Sequence, residues 1–380
     1  MRLRALPAQL VRIDDGVVVV RGCTEIRIVG ERAEETVREV WSMAAAAPVT
    51  LEEIVAQYAQ PDRASVEQLA RKLVERRILV EAESPSGQVA AERGVESSLE
   101  IFYWHFGLTE REATSQLSER KLVIIGVNAV SRQLAAALAE ANLENFEVVD
   151  YALVRNQRLF GLDTEVQLAN WPGACRPPAR YESWRELSDP GTIDCLIATS
   201  DHGATSALLE WNRFALGHGI GFLPIVLRRM VGYIGPFVVP GETACYECLC
   251  ARENAHLHDH EVLRASEELA PYRQAVSGFF PSMGSILGDI AALELVKFYT
   301  GRMPYKVGNL IEVSLLAPSL NSRKVLRVPR CRACAPIMTR SSHSLERADF
   351  MPGSQFVAGE QRPEAILQAA RERFAGKDDL

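Results

Sequence analysis

Two short-spaced cysteine pairs are the residues best suited to chemistry in this 380-residue chain: Cys245-Tyr246-Glu247-Cys248 and Cys331-Arg332-Ala333-Cys334. Four thiolates offered as two C-x-x-C turns are the donor set of a tetrahedral Zn²⁺ site. Each pair supplies two ligands from one turn, so a shared ion would close the loop 249–330 between them. Structural zinc held by Cys245, Cys248, Cys331 and Cys334 is the expectation. The other reading of the spacing is two unrelated pairs, one of them redox-active. Cys250 stands close enough to Cys248 to compete for the ion. Cys23, Cys175 and Cys195 have no near partner in sequence and read as buried thiols. His256, His258 and His260 alternate in a polar stretch, and with no further donors nearby they read as solvated. No Ser/His/Asp or Cys/His arrangement can be assembled, so no catalytic residue is assigned.

The elements that position these residues fall into an α/β chain with a smaller module ahead of it. Net charge is −7, with 47% hydrophobic and 24% charged residues, an ordinary soluble composition that does not suggest a general nucleic-acid binder. No 18-residue apolar run is present, and no signal-peptide core follows Met1-Arg2-Leu3-Arg4. A cytoplasmic protein without a membrane partner is expected, in a compartment where cysteines are reduced or metal-bound.

Residues 1–82 read as a winged-helix-like α+β module. Apolar runs at 9–13, 17–21 and 24–29 are separated by Asp14-Asp15-Gly16 and Gly22-Cys23, which read as turns. Helical patterns follow at 31–47, at 51–58 behind the capping box Thr50-x-x-Glu53, and at 66–77 behind a second box, Ser65-x-x-Gln68. In the last helix Val66, Leu69, Ala70 and Leu73 share a face. Residues 78–80 read as a closing strand. Such a module can bind DNA through a helix, capture an extended peptide on a strand edge, or serve as a structural cap. Arg71, Lys72, Arg76 and Arg77 keep the DNA reading open, although charge runs are usually solvated faces. Residues 83–117 read as a linker, with the aromatic run 101–106 packing it onto the second domain.

From Lys121 the pattern becomes strand, turn, helix, strand: 122–125, Gly126, 131–141 and 146–149, with Asp150 at the end. That is the layout of a nucleotide-binding βαβ unit. The phosphate turn departs from it. Gly126, Asn128 and Ser131 stand where three glycines are needed, and Cβ atoms at the last two would crowd a phosphate. No lysine occurs from Leu122 to Val296 to neutralise one. Further strands are expected at 194–199, 222–226 and 233–239. Asp201 lies at the carboxyl end of the first of these, where it reads either as a ligand contact or as the N-cap of a helix over 203–214, the latter favoured. A long helix over 286–299 follows Ser282-Met283-Gly284-Ser285 and stops at Gly301. An amphipathic helix is expected over 363–375 in a tail, 341–380.

The order of Gly126, Asp150, Ser200-Asp201, the first cysteine pair, Gly284-Ser285-x₃-Gly288-x₄-Ala292-Leu293-Glu294-x₂-Lys297-x₃-Gly301 and the second cysteine pair resembles the ThiF/MoeB superfamily of ubiquitin-activating-type adenylyltransferases over roughly Ser118 to Pro336. The resemblance implies a Rossmann-type, mostly parallel sheet with a structural zinc site over 118–340. It implies a nucleotide site at Gly126, Asn128, Asp150, Asn156, Arg158 and Asp201. Ala152 replaces that family's second acid and its lysine has no candidate here, so the site reads as degenerate and ATP is not expected as a cofactor. With the N-terminal module, the chain is similar to a narrower group: ThiF-like cyclodehydratase C-protein and ocin-ThiF-type partners in azole- and azoline-forming (TOMM) ribosomal peptide biosynthesis. That likeness implies that residues 1–82 are a RiPP recognition element. A precursor leader peptide would then pair with Thr24, Glu25, Ile26, Arg27, Ile28 and Val29 and pack on Val66, Leu69 and Leu73. It also implies a separate YcaO-type cyclodehydratase as ATP-consuming partner, and a homodimer. The alternatives are an adenylyltransferase acting on a peptide C-terminus and a DNA-binding regulator.

Overall fold

The computed structural model describes residues 1–337 except 93–96, 161–165, 168–170, 174, 257–260, 263–264 and 266–277. His258, His260 and the helix expected over 363–375 lie outside the described residues. The chain forms two compact units, Met1–Ala113 and a second from Thr114 onward.

Alternation and helical periodicity build the first unit. Strands β2 (Gln9–Ile13), β3 (Gly16–Arg21) and β4 (Thr24–Val29) form an antiparallel sheet in the order β2-β3-β4. Period-2 patterning turns Val17, Val19 and Ile26 into the core. Helix α1 (Ala33–Ala46) buries the stripe Val37, Val40 and Ala44, and α2 (Leu51–Ala56) starts at the expected Thr50/Glu53 capping box. Helix α3 (Arg63–Glu75) starts earlier than Ser65-x-x-Gln68 predicts. Its N-cap is Asp62, whose carboxylate is drawn instead to Arg32 at 2.8 Å, so Ser65 lies inside the helix. A second antiparallel sheet, β5-β1-β6, joins β1 (Arg2–Ala5), β5 (Val49–Thr50) and β6 (Leu79–Glu81). Neither β1 nor β5 was signalled by an apolar run.

Helices α4 (Pro85–Glu92), α5 (Ser98–His105) and α6 (Glu110–Ser118) occupy the expected linker. The aromatic run lies in α5, with Phe106 as its C-cap. Trp104 is 3% exposed and belongs to the core of the first unit. Its indole N–H donates to Arg77 O at 3.1 Å, the Arg77 guanidinium donates back to Trp104 O, and Arg21 lies 4.7 Å over its ring.

The second unit is an eight-stranded sheet in the order β14-β13-β12-β11-β10-β7-β8-β9. Strands β7 (Leu122–Ile125), β8 (Phe146–Asp150), β9 (Ala179–Arg180), β10 (Cys195–Ser200) and β11 (Gly221–Arg228) run parallel. Strands β12 (Val231–Ile234), β13 (Asn309–Ser314) and β14 (Ser319–Lys324) extend the sheet antiparallel. Strand β12 stops short of the expected 239 because Pro236 lacks an N–H for the ladder. The central parallel strands β7 and β10 are buried on both faces, as continuous apolar runs require, with no exposed residue. The chain leaves β7 for β8 on one side and later returns to β10 on the other. Their carboxyl ends therefore form the switch point of the sheet.

Helices α7 (Ala129–Glu140), α8 (Tyr181–Leu187), α9 (Thr205–Gly217), α10 (Tyr246–His256) and α11 (Pro281–Thr300) complete the unit. Gly301 ends α11 with φ 60°, as expected. Gly288 brings α11 against the α7 backbone: a Cβ there would lie 2.6 Å from Leu134 N and 2.8 Å from Gln133 Cβ. Among the described residues, no helix is long and apolar enough to cross a membrane. Because backbone at α7 cannot give way as a flexible side chain would, Gly288→Val should cost about 1–3 kcal/mol. Denaturant unfolding against Leu293→Val, an exposed position on the same helix, provides the check.

Candidate functional site

In the first unit the chemistry lies on a strand edge. Strand β4 is terminal in its sheet. Gly30 N–H donates to Asp15 O at 2.9 Å, which makes 15/30 a hydrogen-bonded pair and sets the alternation for the ladder. Ile28, Ile26 and Thr24 then bond to β3, while Glu25, Arg27 and Val29 turn N–H and C=O groups to the open edge. The side chains of those three residues are exposed as well. The helix residues expected beside this edge behave differently. Val66 and Leu73 are 3% and 0% exposed, buried in the core of the unit, and only Leu69 is half-buried. The stripe that makes α3 amphipathic is used to hold the unit together.

His105 was not singled out from sequence. It accepts the N–H of Cys23 at 3.0 Å, pinning the β3–β4 turn to α5. Gly22, at φ 57° in that turn, is the one residue type that fits: a Cβ would sit 2.3 Å from His105 Nε2. Cys23 is exposed and Cys175 half-buried, so neither is the buried thiol expected from its isolation in sequence. Cys195 is buried, and desolvation pushes its thiol up.

In the second unit, the switch point holds the expected nucleotide residues. Gly126 turns the chain after β7 at φ 106°, where a Cβ would lie 2.7 Å from Val154 Cγ2 and 2.9 Å from Thr199 O. Asn128 is fully buried and caps α7. Its Oδ1 accepts from Val130 N and Ser131 N at 3.1 Å each, and its Nδ2 donates to Val154 O and Thr199 O. Ser131 Oγ accepts Asn128 N–H, closing a capping box. Asp201 does not cap the helix that follows it; that position is Ala204, without a side-chain bond. Its Oδ2 instead reaches across to α7, accepting Ala129 N–H at 3.1 Å and Asn156 Nδ2 at 2.7 Å. The amides of 129, 130 and 131, the donors a phosphate would use, thus have protein acceptors.

Asp150 is held by Arg155, a residue sequence reading passed over, through Nε at 2.8 Å and Nη2 at 2.5 Å. Asn156 joins the network and Arg158 does not: Arg158 is exposed and contributes its backbone N–H to Asn156 Oδ1. A cleft of about 430 Å³ opens beside this network, lined by Asp150, Tyr151, Arg155, Arg180 and Tyr181 among others.

The four cysteines meet. Cys245 ends a turn and Cys248 lies in the first turn of α10, bringing both thiols to one side. Cys331 and Cys334 close a second turn before Ala335. All four are buried, and their Sγ atoms lie within 4.8 Å of one another. Three separations are 3.8 Å (245–248), 3.7 Å (245–331) and 3.5 Å (248–334). A tetrahedron of sulfurs about 2.3 Å from a central ion has edges of about 3.8 Å, so the cluster could hold a metal ion. Val328 N–H donates to Cys248 Sγ at 3.4 Å, an outer bond that favours a thiolate there. Cys250 is buried but is not one of the four. His256 is exposed.

No protein-family model matches the sequence. No curated protein matches it either. Solved structures do match. Escherichia coli MccB with AMPCPP and MccA is 16% identical with TM-score 0.60, covering 88% of this chain and 99% of that one. The microcin C7 biosynthetic enzyme MccB in complex with N-formylated MccA is 16% identical with TM-score 0.62, covering 88% and 100%. A heterocyclase in complex with substrate and cofactor is 18% identical with TM-score 0.54, covering 87% of this chain but 39% of that one.

Two outcomes test the geometry. Asp201→Ala leaves Ala129 N–H and Asn156 Nδ2 without their acceptor and should cost about 1–3 kcal/mol in denaturant unfolding. Burial, then the charges of Arg21 and Arg77, hold the His105 imidazole below its usual range. A base with a lowered folded pKa leaves the unfolded chain to take up the proton first as pH falls. Stability present above the ordinary imidazole pKa is therefore lost as pH drops through it toward the lowered value. The first unit should melt progressively lower below about pH 6.5, and His105→Gln should flatten that dependence. In fold, the chain is a ThiF/MoeB-like α/β protein preceded by an α+β unit.

Proposed function

We propose that this chain is a leader-peptide-binding subunit in azole- and azoline-type ribosomal peptide biosynthesis. The leader of a precursor adds to β4, and the ThiF-like domain presents the attached core peptide to a separate YcaO-type cyclodehydratase. The observation that carries this reading is a contrast: the β4 edge leaves the backbone of Glu25, Arg27 and Val29 open, whereas the first-turn amides of α7 are taken by Asn128 and Asp201. An extended peptide gains affinity from main-chain bonds on such an edge, each worth about 0.5–1.5 kcal/mol net. Specificity would come from Val29 and half-buried Leu69, with Val66 and Leu73 shaping the helix from within. The neighbours support the reading in kind, since MccB was solved with MccA and the heterocyclase with a substrate. The part of the heterocyclase that this chain does not span is the part a separate partner would supply, and tethering raises the local concentration of core peptide at that partner.

The metal in this reading is zinc, held by Cys245, Cys248, Cys331 and Cys334, and its chemistry there is structural. It ties the start of α10 to the segment after β14, and Arg252 reinforces the join by donating to Leu326 O and Arg327 O. Self-association as a homodimer belongs to the same proposal.

A second reading, a peptide adenylyltransferase, draws on the match over the whole of MccB and on the retained Asp150 and Asp201. It requires Asp201 and Arg155 to release their present partners.

Three measurements decide. The full-length chain should bind the leader of a precursor encoded beside its gene, and Arg27→Pro should weaken that binding at least about tenfold while Arg27→Ala changes it little, because only the former removes an edge N–H. Equal affinity for both variants would remove β4 from the reading. Purified protein should contain about one zinc per chain by mass spectrometry, and Cys331→Ser should lose it and lower the melting temperature. The chain alone should show no ATP–pyrophosphate exchange; clear exchange, lost in Asp201→Ala, would establish the adenylyltransferase instead.

A further inference from the structure

The edge strand β4 has a support outside its own sheet. It begins at Thr24, and the turn before it, Gly22-Cys23, is gripped by α5. Two residues of α5, one helical turn apart, face that turn. A Cβ on Gly22 would lie 2.3 Å from His105 Nε2 and 3.0 Å from Ile101 Cγ2. His105 Nε2 accepts the Cys23 N–H at 3.0 Å from a position 82 residues later in the chain.

That bond depends on protonation. A ring nitrogen that accepts an N–H must carry a lone pair, so the imidazole is neutral with its proton on Nδ1. A proton on Nε2 would set a donor against a donor. The charges that act on the ring are both positive. On β3, Arg21 is 3% exposed and lies 4.7 Å over the Trp104 ring, whose centroid is 5.0 Å from that of His105. Just beyond α3, Arg77 is bonded to Trp104 O. Burial first, and then these two cations, hold the imidazole below its usual range. On α5 itself, Glu100 accepts Glu110 N–H; on β4, Glu25 is exposed; and Cys23 keeps an exposed thiol on the turn.

Resting on the reading of β4 as the leader edge, we propose that His105 is a positioning residue for leader capture, a proton-sensitive clasp that holds the start of β4 in place to receive the peptide. While the ring is neutral, α5 fixes Gly22 and Cys23, and the chain enters Thr24 and Glu25 on one course. When the ring takes a proton, the Cys23 N–H loses its acceptor, and Glu25, the first open edge position, loses its anchor. The recognition element therefore extends past β6 to include α5. Leader capture and proton release become linked: the peptide favours the neutral ring, and acid favours release of the peptide. The clasp is intact above about pH 6.5 and weakens as pH falls below that, toward the lowered value of the folded ring.

Hydrogen–deuterium exchange of the full-length chain at about pH 7.5 and about pH 5.5, corrected for the intrinsic exchange rate, provides the test. Protection over residues 21–26 should fall at least about threefold relative to α1. His105→Gln, whose amide oxygen can accept the Cys23 N–H at either pH, should hold it constant. Fluorescence anisotropy with a labelled synthetic leader, taken from the precursor encoded beside the gene, should show affinity about three- to tenfold weaker at the lower pH in the wild type and level in His105→Gln. Gly22→Ala, which drives a Cβ into His105, should bind weakly at both pH values. Protection that ignores pH, or that falls equally in His105→Gln, overturns the proposal. So does leader affinity that stays level while protection falls. A leader that binds at neither pH overturns the reading of β4 and leader positioning with it; protection that still falls in the wild type alone would leave the proton-sensitive clasp standing.

Discussion

A helix begins with amide groups that its own backbone cannot satisfy, and the second unit is organised around how α7 meets that requirement. Asn128 takes two of those amides and Asp201 a third. The same two side chains then tie in what surrounds them. Asn128 reaches the carbonyls of Val154 and Thr199, and Asp201 receives Asn156. One buried polar network therefore fixes the turn after β7, the end of β10 and the segment after β8 relative to one another. Such a network is stabilising only when every member has a partner, and here the partners come from the protein.

The consequence is functional as much as structural. In nucleotide-binding α/β folds this is the place where a helix N-terminus offers its amides to phosphate. Here a carboxylate already stands against them, and Asp150, at the next strand end, is gripped by Arg155. The bonds of these positions are turned inward. In the proposed reading, binding falls to places where hydrogen-bonding groups remain open. Terminal strand β4 is such a place, with Glu25, Arg27 and Val29 directed away from its sheet.

The cysteine cluster supplies a different constraint. It joins α10 to a segment about 80 residues later, and with Arg252 it defines the course of the chain beyond β14. That course has little hydrophobic core of its own: Cys331, Cys334 and Val325 are buried, but Arg327, Arg330 and Arg332 face solvent. A metal-bound knuckle can hold so polar a segment in one shape, which a few apolar contacts could not do.

Much of this was legible in the residues. The C-x-x-C spacing named all four thiols, because short-range geometry alone makes each pair point one way. Apolar runs located β2, β4 and β7, and helical patterns located α1, α7 and the long α11, since burial imposes those patterns. Gly126 and Gly301 announced their turns, since both take a positive φ. What sequence could not carry were the partners of side chains whose bonding is long-range. Asp201 suits an N-cap, and its local context offered a helix; only the return of β10 beside β7 put another helix's amides within reach. Val66 and Leu73 share a face, but periodicity does not say whether that face meets a ligand or the core. Trp104 looked like a linker residue until Arg77 and Arg21 closed around it. Local spacing determined which elements form and which residues could ligate. Tertiary structure decided which groups are spent on one another and which remain free to bind, because that depends on distances between segments far apart in the chain.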